Sequence, residues 1–293
     1  MRTGYAISLI FSWSLTASAS SHFTLKDNFV GWDFFDSWKW ETMDDPTHGR
    51  VNYVDLPTAQ HANLTYVTDS TFVMRADHTT KVAPQARGRD SIRISSIASY
   101  NDAVIVLDMA HMPEGARCDQ IVVTQGDTPT SNECDASANS NTGCGVSLSN
   151  GASFGGPLND RGGGVFVTRK TRAHGVQTWF WGQDDPSMPP EIRAGASSIE
   201  PGSGWGQPSA SFPMDDCEYD SHFNAHQMVF DLTFCGDWAG SAFATSGCGP
   251  GTCEDLVNDH PEEFKGAYWT INAVRVYTPD PASNTLLGFL ALT

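Results

Sequence analysis

Carboxylates two apart in sequence are the first residues in this chain with the spacing to do chemistry. Residues i and i+2 of a strand share one face, so an E-x-D pair on a strand aims two carboxyl groups the same way. Cleaving a glycosidic bond with retention asks for two carboxyl groups about 5 to 5.5 Å apart, one attacking carbon and one delivering a proton. Two E-x-D elements occur, Glu133-Cys134-Asp135 and Glu218-Tyr219-Asp220. Neither has a further Glu three residues after its Asp, and neither lies in a run with strand character. Both read as solvated loops or Asx turns. Glu114, in MPEG, reads as a surface carboxylate. No catalytic residue is assigned.

Other chemistries find less support. His222 and His226 are four apart but lack an H-E-x-x-H context and a third ligand, so no metal site is assigned. His48 and His111 read as structural or turn residues. The glycine-rich runs 159–164 and 247–251 lack the Lys-Ser/Thr of a phosphate loop, and no G-x-S-x-G elbow occurs. No cofactor is expected. Aromatic residues are more promising. Trp238, between Gly236, Asp237 and Gly240, and Trp205, in GWGQP, sit in small-residue loops where an indole face could meet a sugar ring. Both are candidate substrate-binding residues. Trp32, Trp38 and Trp40, near Phe34 and Phe35, are expected to pack beneath the fold. Asn63-Leu64-Thr65 is a glycosylation sequon.

The elements that would carry these residues are strands. Apolar or alternating runs predict strands at 64–68, 71–76, 92–97, 103–109, 165–170, 176–181, 228–234 and 273–278. Stretches dense in Gly, Pro, Ser and Asn, at 150–164 and 201–213, punctuate them. No long helical period and no fixed repeat is present, which points to an all-β antiparallel sandwich or jelly roll. The chain has 293 residues and a formal charge of −17. That charge argues against a nucleic-acid partner and suits a neutral polysaccharide.

Residues 1–19 read as a secretory leader, with Arg2, an apolar stretch over 7–15 and Ala17-Ser18-Ala19 as cleavage site. The apolar stretch is too short to span a membrane, so a secreted, extracellular protein is expected. The domain should then occupy 20–278, followed by a tail at 279–293. Seven cysteines lie beyond the leader: Cys118, Cys134, Cys144, Cys217, Cys235, Cys248 and Cys253. Disulfides are expected in that compartment, and the odd count leaves one unpaired.

In order along the chain come DPTHGRVNYV (45–54), GRDSIRI (88–94), VIVLDMAHMPEG (104–115), NTGCGV (141–146) and FCGDWAG (234–240). In combination they strongly resemble fungal members of glycoside hydrolase family 16, the laminarinase-like endo-β-1,3(4)-glucanases. The resemblance implies a concanavalin-like β-jelly roll whose concave sheet forms a glycan cleft, a β-1,3/1,4-glucan partner, and a cleft position for Trp238. In that family PEG leads to a tryptophan-rich turn and then to G-E-[IV]-D-I-I-E-G, which carries the catalytic carboxylates. Here PEG runs into Ala116, Arg117 and Cys118, and no such signature occurs. Family members have a cysteine directly after PEG, so the missing block would have taken one disulfide partner with it.

Three readings follow: a defective, alternatively spliced or misassembled glucanase product without activity; a non-catalytic glucan-binding protein; or an active retaining glucanase with relocated carboxylates. The first is preferred, because the break is clean and its flanks are intact. The sandwich should be incomplete, with open strand edges that favour aggregation; any folded form should be a monomer.

Overall fold

The computed structural model describes residues 22–114, 128–129, 135, 137–138, 145–202, 204–214, 217–248 and 250–280. The leader, nearly all of the tail, Cys118, Cys134 and Cys144 lie outside the described residues. In chain order the strands are β1 (Phe23–Phe29), β2 (Trp38–Trp40), β3 (Val51–Tyr53), β4 (Thr65–Thr68), β5 (Thr71–Arg75), β6 (Arg89–Ser91), β7 (Arg93–Ser96) and β8 (Ala103–His111). There follow β9 (Thr128–Pro129), β10 (Val146–Ser147), β11 (Gly164–Thr171), β12 (Gly175–Gly182), β13 (Ser198–Ile199), β14 (Ala210–Phe212), β15 (Val229–Asp231) and β16 (Tyr268–Pro279).

The large sheet runs β13-β1-β16-β8-β11-β12-β14, and β5 joins β16 and carries β4, making nine strands. Every pairing in it is antiparallel. Facing it is a smaller antiparallel sheet, β15-β7-β2. This is the sandwich that the alternating runs imply. All eight expected strands exist, with two changed in extent. The run at 228–234 keeps only Val229–Asp231, because Leu232 turns inward and its N–H donates to Ile92 O. The run at 273–278 extends to twelve residues, because Tyr268–Ile271 pair with β5.

Period-two alternation sorts the side chains of the large sheet onto two buried faces. On β8, Val104 and Val106 join Trp179, Trp181 and Trp205 on the outer face, which a long connection carrying Met188 and Ile192 covers. Ile105 and Leu107 point the other way, toward the core between the sheets, where Phe34, Phe72, Ile94 and Val274 meet. A short helix, Gly155–Asn159, places Leu158 against Met109 and Phe180 on the inner side. The hairpin start after it needs glycine: Gly163 has φ 97, and a Cβ there would lie 1.9 Å from Met109 O.

Beside β8, β11 and β12 the inner side is not fully covered. Ile105, Leu107, Phe166, Thr168, Val176 and Thr178 are only half-buried, whereas Val104, Val106, Val165 and Val167 on the outer side are buried. A complete two-layer sandwich buries both. Among the described residues, β15 pairs with β7 alone.

Candidate functional site

Register on the small sheet builds a row of charges. Asp231 stands opposite Arg93 and Phe230 opposite Ile94, while Trp40 also stands opposite Ile94 and the N–H of Glu41 donates to Arg93 O. Opposed residues share a face, so Phe230, Ile94 and Trp40 enter the core and Asp231, Arg93 and Glu41 line up on the far side. The Arg93 Nε donates to Glu41 at 2.9 Å, and its Nη1 pairs with Asp231. Ser95 adds a bond to Glu41 at 2.9 Å.

Environment separates the carboxyls. Burial pushes Glu41 up, but bonds from Ser95 and Arg93 outweigh it and hold the group below its usual range. Burial also pushes Asp231 up; the nearby charge of Asp45 reinforces this, Arg93 opposes it, and the net effect is raised.

Beside the β15 edge lies a groove of about 360 Å³ lined by Met112, Glu114, Asp231, Phe234, Phe264 and Trp269, among others. Among the described residues its two carboxylates are both engaged. Asp231 pairs with Arg93, and Glu114 accepts from Asn159 Nδ2 at 2.5 Å. Asn159 also clamps the backbone of Met112 at 2.8 and 3.0 Å, and Glu114 N donates to Gly266 O. The chain is therefore firmly held up to Glu114.

Trp238 is 57% exposed. It stands on a six-residue helix, Asp237–Ala242, rather than in the open loop its neighbours suggest. Trp205 corrects the expectation placed on it. It is 4% exposed, edge-on to Trp179 and Trp181, and its indole N–H donates to Glu191 at 2.7 Å. Its neighbouring glycines form a turn over the outer face of the large sheet, so the ring is core and cannot stack on sugar. Trp32 departs in the opposite sense: it is 65% exposed against Phe35, whereas Trp38 is buried and Trp40 half-buried as expected. A turn at 31–32 ahead of the helix Asp33–Asp36 carries the Trp32 ring outward.

Glu133 lies outside the described residues, and Asp135 accepts from the N–H and hydroxyl of Ser137 in an Asx turn. Asp220 pairs with Arg172, and Tyr219 donates to Asp102 at 3.1 Å, far in the fold from the groove's lining. His222 turns back on Glu218 O, His226 meets Lys170, and His111 stacks on Tyr268 at 3.6 Å. Among the described residues no group of three or more His, Cys, Asp or Glu side chains is placed to hold a metal. Cys235 and Cys253 form a disulfide with Cα atoms 5.7 Å apart, Cys248 is also disulfide-bonded, and Cys217 is free. Asn63 is exposed at φ 54 just past the helix Leu56–His61. The candidate-site residues that the sequence reading did not single out are Arg93, Glu41 and Asp231. Only the alternation of SIRIS, with Arg93 between inward Ile92 and Ile94, hints at one of them.

Comparison with known proteins places these features in a family context. A family model described as the XgeA-like catalytic GH16 domain matches residues 38–120 and 115–277. A probable glycosidase of Schizosaccharomyces pombe is 32% identical over 299 residues, covering 87% of this chain and 69% of that protein. A probable endo-1,3(4)-β-glucanase of Aspergillus niger is 31% identical, covering 94% of this chain but 43% of its own length. The endo-1,3(4)-β-glucanase XgeA of Emericella nidulans is 28% identical, and this chain spans 48% of it. Among solved structures, laminarinase 16A of Phanerochaete chrysosporium, seen with 6-O-glucosyl-laminaritriose in donor and acceptor sites, aligns at 37% identity. Its TM-score is 0.79, covering 88% of this chain and all of that one. An elongating GH family 16 β-1,3-glucosyltransferase aligns at 30% identity and TM-score 0.75, covering 87% of this chain and all of the other.

Proposed function

This chain belongs to glycoside hydrolase family 16, and on that premise we propose that it is a secreted, β-glucan-directed member that has lost hydrolysis and kept part of its glucan-facing surface. One observation carries the loss: no G-E-[IV]-D-x-x-E-G sequence occurs, and PEG joins Ala116-Arg117-Cys118 where the family places it. Two features support it. The family model matches in two segments that meet over 115–120. The alignment with the S. pombe glycosidase runs over 299 residues, more than 87% of a 293-residue chain can fill, so that relative has residues this chain lacks.

The physical consequence follows from the reaction. Retaining hydrolysis needs one carboxylate free to attack and a second carboxyl able to give up a proton to the leaving oxygen. Among the described residues the groove carboxylates are Asp231, paired with Arg93, and Glu114, bonded to Asn159, and neither lies in the family's catalytic signature. What remains can bind: Trp238 offers an exposed ring, and the row Glu41-Arg93-Asp231 offers hydrogen-bonding groups on one face. The disulfides at Cys235–Cys253 and Cys248 support an oxidising compartment. Release of reducing sugar from laminarin or lichenan should equal a heat-killed control, and re-insertion of the family's missing block should restore turnover. Turnover by the chain as it stands would overturn the reading.

A further inference from the structure

Among the described residues, four that are not glycine have left-handed backbone: His48 at φ 58, Asn63 at 54, Asp69 at 53 and Cys235 at 55. Asn and Asp adopt that conformation readily. His is also found there more often than most residues, Cys is not, and His48 and Cys235 belong to one corner, where Asp237 N donates to Thr47 O at 2.9 Å. Strained residues of this kind persist only where the surroundings over-determine them.

Here the determinant is the buried carboxylate of Asp45. Its Oδ2 accepts from the Thr47 hydroxyl at 2.6 Å, Gly49 N at 2.8 Å and the Thr233 hydroxyl at 2.9 Å, and its Oδ1 from the Tyr53 hydroxyl at 3.1 Å. Gly49 admits no side chain, since a Cβ would lie 2.0 Å from the Thr233 hydroxyl. Arg50 N donates to Phe234 O at 2.6 Å, and the disulfide to Cys253 pins Cys235.

What this framework holds out is the His48 side chain, 80% exposed, with Nδ1 at 3.0 and 3.2 Å from the two oxygens of Asp237. So exposed a pair adds little to stability; the Asp45 network holds the turn, and the His48–Asp237 pair is what that turn presents to solvent. With Nδ1–H given to Asp237, Nε2 is left as an outward acceptor. The next residue is Trp238, on a helix with no buried residue. An open indole face next to a fixed imidazole acceptor and a carboxylate matches a pyranose, whose C–H face lies on a ring while its hydroxyls donate sideways.

We propose that His48 and Asp237 form a saccharide-recognition pair beside Trp238, accepting hydroxyl hydrogen bonds from a glucosyl unit stacked on that ring. The inference rests on the glucan-directed reading and adds to it two residues that select hydroxyl pattern. It is tested by affinity electrophoresis of the full secreted chain in gels containing laminarin, with dextran as the α-linked control. His48→Ala should weaken laminarin binding about three- to tenfold, the factor for one lost hydrogen bond, with the melting temperature slightly lowered because Ala tolerates φ 58 less well than His. His48→Asn, which tolerates the left-handed backbone but cannot reach, should lose as much, and Asp237→Asn should weaken binding as well. Laminarin should also slow diethylpyrocarbonate modification of His48 in the unmutated chain, a readout that needs no variant to fold. Wild-type binding with undiminished variants, or unprotected His48, overturns the inference alone. Absence of any laminarin binding by the wild type overturns the glucan-directed reading with it.

Discussion

Replacing Asp45 by Ala should be among the most damaging single changes outside the apolar core. The carboxylate is 9% exposed and takes four hydrogen bonds from three segments: its own loop, β3 through Tyr53, and Thr233 just beyond β15. Burial alone would push its proton affinity up, but the bonds from Thr47, Gly49, Thr233 and Tyr53 outweigh it and hold the group below the usual carboxylate range. Hydrogen bonds to a charged group each contribute about 1.5 to 3 kcal/mol, and deletions within one network do not add. A loss of about 3 to 5 kcal/mol is expected, as for a broken buried network. At roughly 2 to 4 °C per kcal/mol for a chain of this size, the melting temperature should fall on the order of 6 to 20 °C.

The sign with pH follows from the depressed folded value. The contribution of Asp45 is present above the unfolded pKa of about 3.9 and lost as pH falls through the lower folded value. Melting curves of wild type and Asp45→Ala from pH 7 down to pH 2 should therefore converge in acid. Asp45→Asn, which keeps an acceptor without the charge, should fall between them. A melting temperature for Asp45→Ala within about 2 °C of wild type at pH 7, where even one lost kcal/mol would show, would refute the reasoning.

Three further outcomes are expected. Among the described residues β15 pairs on one side only; if that edge lets chains associate, Val229→Lys, at a 45% exposed position on that strand, should reduce concentration-dependent association in light scattering. Glu41 and Asp231 flank the same arginine but have opposite shifts; Glu41→Gln should therefore lower neutral-pH stability, while Asp231→Asn should cost less than about 1 kcal/mol or raise it, as melting at pH 7 and pH 4 will show. Tryptic digestion of secreted material should yield the peptide spanning residues 94–117, whose end crosses the PEG-Ala-Arg junction; finding only a longer form would mean that the shortened chain is not the natural product.

The fold class and the order of the family's motifs were legible in the letters alone. Alternation in runs such as AVIVLDM and GVFVTRK is a local property of a strand with one or both faces buried, so it survives without any knowledge of partners. The run PEG-Ala-Arg-Cys at 113–118, in a chain without G-E-[IV]-D-x-x-E-G, is likewise readable because it is an order of letters. Tertiary structure decided which aromatic rings are open. Trp205 and Trp238 both follow glycine or aspartate in small-residue stretches, yet one lies under Glu191 and two tryptophans while the other stands in solvent. Burial depends on what arrives from distant segments, and loop composition carries no record of that. The row Glu41-Arg93-Asp231 is the same case. Its members come from positions 41, 93 and 231, and only cross-strand register, set by the turns and the core beneath, brings their charges onto one face.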